Sequence, residues 1–162
     1  MIRVLGIDVP RGFAVVDVFH AGQHTGVALG ELDAGREVDH AAELARKYDV
    51  QKIAIEAPLE PYVHGRGSKG NEGARRGVIL SLMQCVRLAG RLEQVAISLG
   101  LPVVVEDADK VRRCLGIGGQ TRSERDTLVK AYVRMRVRGW PERSNADNRD
   151  AAVVAIYGGL TK

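Results

Sequence analysis

One stretch near the start constrains this chain most: Arg3-Val4-Leu5-Gly6-Ile7-Asp8-Val9, followed by the turn Pro10-Arg11-Gly12 and a second apolar run. Val4 to Val9 has the composition of a buried strand, and the Pro/Gly pair ends it. Asp8 is the anomaly. A carboxylate is costly to bury unless a metal or a basic partner compensates its charge. Asp8 is therefore either a surface turn acid or the first ligand of a site, and partner carboxylates elsewhere must decide.

The chain supplies them in order. Residues 12–19 read as a second strand forming an antiparallel hairpin with the first. His24 to Leu32 suits a third strand, with Gly30 a candidate bulge. Glu37 to Tyr48 reads as a helix with Val38, Ala41, Ala42 and Ala45 inward. Lys52-Ile-Ala-Ile-Glu56 is a short buried strand that again ends in an acid. Helix then strand suits a parallel placement beside the first strand through a right-handed crossover. Asp8 and Glu56 would then face one crevice beyond the strand ends, where open α/β sheets bind ligands.

Residues 57–77 hold two prolines, five glycines, Tyr62, Arg66, Lys69, Arg75 and Arg76. This reads as a long loop of the kind that contacts substrate, with Tyr62 able to stack on a base or to pack on the loop itself. Val78 to Leu99 is a long helix stopped by Gly100, and Leu101 to Val105 is the next buried strand. Asp107 or Asp109 caps a short helix over Lys110 to Leu115. Thr121-Arg-Ser-Glu124 has capping-box spacing and opens a helix to about Arg138. From Asp109 to Arg143 ten basic residues face four acids, a local charge of +6 against +4 for all 162 residues. Arg112, Arg113 and Arg122 flank Gly116-Ile-Gly-Gly at helix ends, which suits phosphate contacts.

The last helix, from Ser144 to Tyr157, carries Asp147 and Asp150 in its first turns. Their i, i+3 spacing puts both on one face. Acids near a helix N-terminus interact well with the macrodipole, which accounts for one of them more easily than for two. The length suits one domain with a substantial core. Cys85 and Cys114 lack metal-ligand spacing and read as reduced thiols of a cytoplasmic protein. Met1 leads straight into a strand without a signal peptide, and no apolar run approaches a membrane span.

Leu5-Gly6-Ile7-Asp8, Ile53-Ala-Ile-Glu56, Asp147-x-x-Asp150-Ala-Ala and the Gly116-Ile-Gly118 turn before a basic helix resemble RuvC-type Holliday-junction resolvases of the RNase H-like superfamily. The resemblance runs from residue 2 to about 158. It implies a single α/β domain over residues 1–162. The sheet would be an RNase H-like mixed one, a three-strand antiparallel meander plus two parallel strands, with helices on both faces. It implies Asp8, Glu56, Asp147 and Asp150 as catalytic carboxylates. Arg112 and Arg122 match the family's junction-binding lysines, and Tyr62 falls nearest its aromatic wedge.

Hard oxygen ligands without a His/Cys cluster select two Mg²⁺ ions, with Mn²⁺ a substitute. The expected activity is resolution of four-way DNA junctions. An RNase H-like nuclease acting on other branched DNA or on RNA–DNA hybrid, and a non-catalytic nucleic-acid-binding module, stay open beside it. The expected partners are junction DNA and a second copy of the chain. A helix whose second apolar row, Ile79, Met83, Val86, Gly90 and Ile97, lies beside its sheet-facing row is buried on two sides. Either the last helix of the same domain or a homodimer partner covers that row, and paired nicking favours the dimer.

Overall fold

Alternation along the first strand sorts its side chains onto two faces of a sheet. The computed structural model describes residues 1–58 and 72–161, with residues 72–76 and 78 described by their backbone alone. β1 (Ile2–Asp8) pairs antiparallel with β2 (Gly12–Val18), and β2 with β3 (His24–Glu31). α1 (Glu37–Lys47) then crosses over to β4 (Lys52–Glu56), which runs parallel to β1 on its other edge. α2 (Glu72–Ser98) crosses in the same way to β5 (Val103–Glu106), parallel to β4. α3 (Ala108–Cys114), α4 (Arg122–Arg136), β6 (Val137–Arg138) and α5 (Ala146–Leu160) complete the chain. The sheet order is β5-β4-β1-β2-β3-β6. The expected meander with two parallel strands and helices on both faces is present.

Two apolar clusters fill the two faces. Leu5 and Ile7 point toward α1 and α2, packing with Ala41, Leu44, Ala89, Leu92 and Ala96. Val4 points the other way, with Ala54, into α5, backed by Val111 of α3 and Val129 and Val133 of α4. α5 is buried without a break from Ala151 to Gly159 because the sheet covers one side and α3 and α4 the other. Such a helix is apolar all round rather than striped.

The structure corrects several expectations. β6 is a sixth strand in what reads as the last turn of a helix; Val137 leaves the helical conformation and pairs with His24. The bulge in β3 falls at Val27, since Val15 pairs with Ala28 and Val16 with Gly26. Gly30 is regularly paired with Phe13, and a Cβ there would come within 3.0 Å of the Phe13 ring. α2 begins at Glu72, so Arg75 and Arg76 belong to a helix rather than a loop. Leu44, not Ala42, is buried on α1.

On α2, Ala89, Leu92 and Ala96 are buried, while Ile79, Met83, Val86 and Ile97 are 43–55% exposed. α5 lies on the opposite face of the sheet, so it does not cover this row. Cys85 and Cys114 are free thiols. Among the described residues no helix is long and apolar enough to cross a membrane.

Candidate functional site

Residue parity along two strands aims the first two acids. Asp8 follows Val4 and Gly6 onto the α5 face of the sheet, and Glu56 follows Lys52 and Ala54 onto the same face. The β1–β4 register places Asp8 directly beside Glu56. Asp147 and Asp150 stand in the first turns of α5, whose N-cap Asn145 accepts the backbone N–H of Asn148 at 2.8 Å. All four acids line one cleft of about 380 Å³.

Close approach of α5 to the sheet brings the helix acids there. A Cβ on Gly6 would fall 2.0 Å from the carbonyl oxygen of Ala151, and one on Gly12 would fall 2.7 Å from the Asp147 backbone and Cβ. Only glycine at these two positions lets the helix lie so near. Asn148 fixes the register of the contact. It is buried, and its Nδ2 donates to the carbonyl oxygens of Gly30 (2.6 Å) and Phe13 (3.5 Å). The sequence does not set it apart, because it stands among Asp147, Arg149 and Asp150 in the polar first turns of the helix.

The electrostatics are those of crowded anions in a partly dry cleft. Asp8 is pushed up to about 9, first by burial and then by the carboxylates of Glu56, Asp150 and Asp147. Burial also dominates for Glu56, which stands at about 8; Arg112 pulls it down, and Asp150, Asp107 and Asp109 push it up. Asp150 is raised by burial against the opposing pull of Arg112. Glu56 Oε2 is buried and has no hydrogen-bond partner among the described residues.

The basic residues divide. Arg112 is only 14% exposed and turns into the acids. Its Nη2 lies 3.2 Å from Asp150 Oδ1 and 3.5 Å from Glu56 Oε1, and its Nη1 lies 3.9 Å from Asp109. Arg122 is exposed on the cleft wall. Arg113 is exposed too, and its Nε donates to the Asp109 carbonyl. Tyr62, Arg66 and Lys69 lie outside the described residues, as do the side chains of Arg75 and Arg76. By sequence, Asp107 or Asp109 has only a capping role, and neither Arg125 nor Asp126 is set apart; all four line the cleft, and Arg125 pairs with Asp109 at 3.3 Å. Asp107 caps α3 by accepting the N–H of Asp109.

By donor chemistry the site fits a hard divalent cation, with four carboxylates and one buried oxygen lacking a partner. Among the described residues, however, no three acids are drawn together closely enough to hold an ion as they stand. The guanidinium of Arg112 lies between two of them.

No family model matches the chain, and no curated protein matches it by sequence. Its fold does match solved structures. T. thermophilus RuvC in complex with a Holliday junction substrate superposes with a TM-score of 0.68 at 16% identity, covering 99% of this chain and 94% of that one. A Thermus thermophilus RuvC structure gives 0.59 at 18% identity, over 98% and 93%. The fowlpox virus Holliday junction resolvase gives 0.56 at 9% identity, over 98% and 94%. The described residues have the RuvC-type, RNase H-like fold.

Proposed function

We propose that this chain is a metal-dependent endodeoxyribonuclease that resolves four-way DNA junctions by paired, symmetric nicks. One observation carries the reading: Asp8, Glu56, Asp147 and Asp150, from three separate elements, line a single cleft on a RuvC-type fold. Asp8, Glu56, Asp147 and Asp150 would hold the ions. When bound, two Mg²⁺ or Mn²⁺ ions supply an activated water and neutralise charge on the attacked phosphate and the leaving oxygen.

The chain's own residues do the rest. Burial and neighbouring carboxylates raise Asp8 and Glu56, so a cation held there would favour their ionised forms. Gly6, Gly12 and Asn148 hold α5 so that its two acids reach the strand ends. Arg122 and Arg125, which line the cleft, suit backbone phosphates, which carry position rather than sequence.

The exposed row Ile79, Met83, Val86 and Gly90 supports a homodimer through α2. A contiguous apolar face of this kind marks an interface. A two-fold dimer would present two clefts to two related strands. Met83→Glu should convert a sedimenting dimer to monomer without unfolding the chain; a dimer that survives it excludes this face.

The test of activity is cleavage with Mg²⁺ of a synthetic four-way junction, a linear duplex and an RNA–DNA hybrid. Paired nicks in the junction, absent with Asp8→Asn, are expected. Preferential cleavage of the hybrid would replace the junction by another RNase H-like substrate. Binding without cleavage of any of the three would make the chain a non-catalytic module.

A further inference from the structure

Arg112 is the residue whose placement departs furthest from what its sequence context suggests. It belongs to α3, in the basic segment, yet its guanidinium is turned inward and bonded to acids from two other elements: Glu56 at the end of β4 and Asp150 in α5. Val111, its neighbour on α3, is fully buried in the apolar cluster under α5, which anchors the helix that carries the arginine. Arg112 Nε is buried with no hydrogen-bond partner among the described residues. The planar donor fork therefore turns its two terminal nitrogens toward carboxylates.

We infer that Arg112 is a built-in counter-cation of the carboxylate site, one that shares Glu56 and Asp150 with the metal and must release them before an ion is held there. The inference rests on the proposed metal site. Four carboxylates in one cleft repel one another, and burial strengthens the repulsion. A fixed guanidinium between two of them offsets that repulsion and lets the strand end and the helix pack together. The same placement opposes the ion. A guanidinium and a divalent cation are both positive, and both would draw on the carboxylates of Glu56 and Asp150. One must leave for the other to bind. Once released, Arg112 still lines the cleft, beside Arg122 and Arg125, where a phosphate can take the place of the carboxylates.

The experiment titrates Mn²⁺ alone, by calorimetry, into wild type, Arg112→Met, Arg112→Lys and Arg113→Ala, and records thermal unfolding of each in EDTA and in Mn²⁺. Arg112→Met keeps the aliphatic stem and loses the charge. It should bind Mn²⁺ about tenfold more tightly than wild type. In EDTA its midpoint should fall by about 5–10 °C, a deficit that saturating Mn²⁺ reverses. Arg112→Lys, still charged, should stay close to wild type in affinity and so report on the charge even where Arg112→Met folds poorly. Arg113→Ala removes an equal charge from the next residue, which touches none of the four acids, and should leave affinity unchanged.

Mn²⁺ binding to wild type with equal or weaker binding to Arg112→Met would overturn the inference while leaving the metal site standing. Tighter binding by Arg113→Ala to the same degree as Arg112→Met would also overturn it, since general charge would then suffice. No Mn²⁺ binding to wild type would remove the metal site itself and the inference with it.

Discussion

Glu56 and Glu106 end adjacent parallel strands and face each other in register, yet their chemistry is opposite. Glu106 is satisfied. Lys110, one turn into α3, sits 2.6 Å from its Oε2, Tyr157 donates its hydroxyl at 3.4 Å, and the N–H of Asp107 reaches Oε1 at 3.2 Å. Burial alone would raise this carboxyl, but Lys110 and the Asp107 N–H bring it below its ordinary value. Glu56 has Arg112 at 3.5 Å and a second oxygen with no partner among the described residues, and it stands at about 8. Two identical residues on one sheet edge thus teach that strand-end position does not make an acid functional. What separates them is whether neighbours already supply every hydrogen bond and countercharge the carboxylate needs.

The largest test of that contrast is cleavage. Glu56→Gln should lower the rate on a four-way junction by more than about 100-fold, since losing even an outer partner of a metal ligand costs 10–100-fold. Glu106→Gln should cleave within a few fold of wild type and lose about 1 kcal/mol of stability through its weakened hydrogen bonds. Matched losses in the two variants would mean that Glu106 belongs to the site after all.

Stability against pH should separate the pair next. Asp8 and Glu56 have folded-state values raised above their unfolded ones, so the native state holds the extra protons between the two. Their contribution is therefore present below the ordinary carboxylate range and lost as pH rises toward about 8 to 9. Glu106 runs the other way: its value is lowered, so its contribution is present at neutral pH and lost as pH falls through its folded value. Urea midpoints in EDTA should then decline from pH 5 toward pH 9, roughly, and Glu56→Gln should flatten that decline. Saturating Mg²⁺ should reverse it, because the ion takes the ionised form. A wild-type midpoint that climbs steadily over that range without metal would refute the raised values.

Much of this pairing is legible in the sequence. Two short apolar runs each ending in an acid, separated by a helix, define parallel strands with aligned ends, and the Thr121–Glu124 capping box is present where its spacing puts it. What stayed hidden depends on three-dimensional phase. α3 has seven residues, too few for periodicity to reveal that Arg112 faces inward while Arg113 faces solvent. Burial of α5 on every side erases the stripe that would have pointed to Asn148 as the residue tying it to β2 and β3. β6 spans two residues, below any pattern. Gly73 and Gly77 lower helix propensity at the start of α2, so the sequence reads as helix only from Val78 whereas the helix begins at Glu72.

The smallest expected effect comes from trying to make one acid into the other. Lys110 lies four residues after Glu106 on the first turns of α3, and its ammonium is the countercharge that Glu56 lacks at short range. Lys110→Met removes that charge and keeps the stem. Glu106 would retain the Tyr157 hydroxyl and the Asp107 N–H, while burial would act without opposition from Lys110. Its carboxyl should then move from below the ordinary value to above it, visible as a titration shift of the Glu106 carboxyl carbon in NMR. Cleavage and Mn²⁺ affinity should stay unchanged, because Glu106 still has two donors and no place among the acids that line the cleft. A Glu106 carboxyl that stays low without Lys110 would mean that backbone and tyrosine donors alone satisfy it, and that the distinction from Glu56 is one of hydrogen bonds and not of charge.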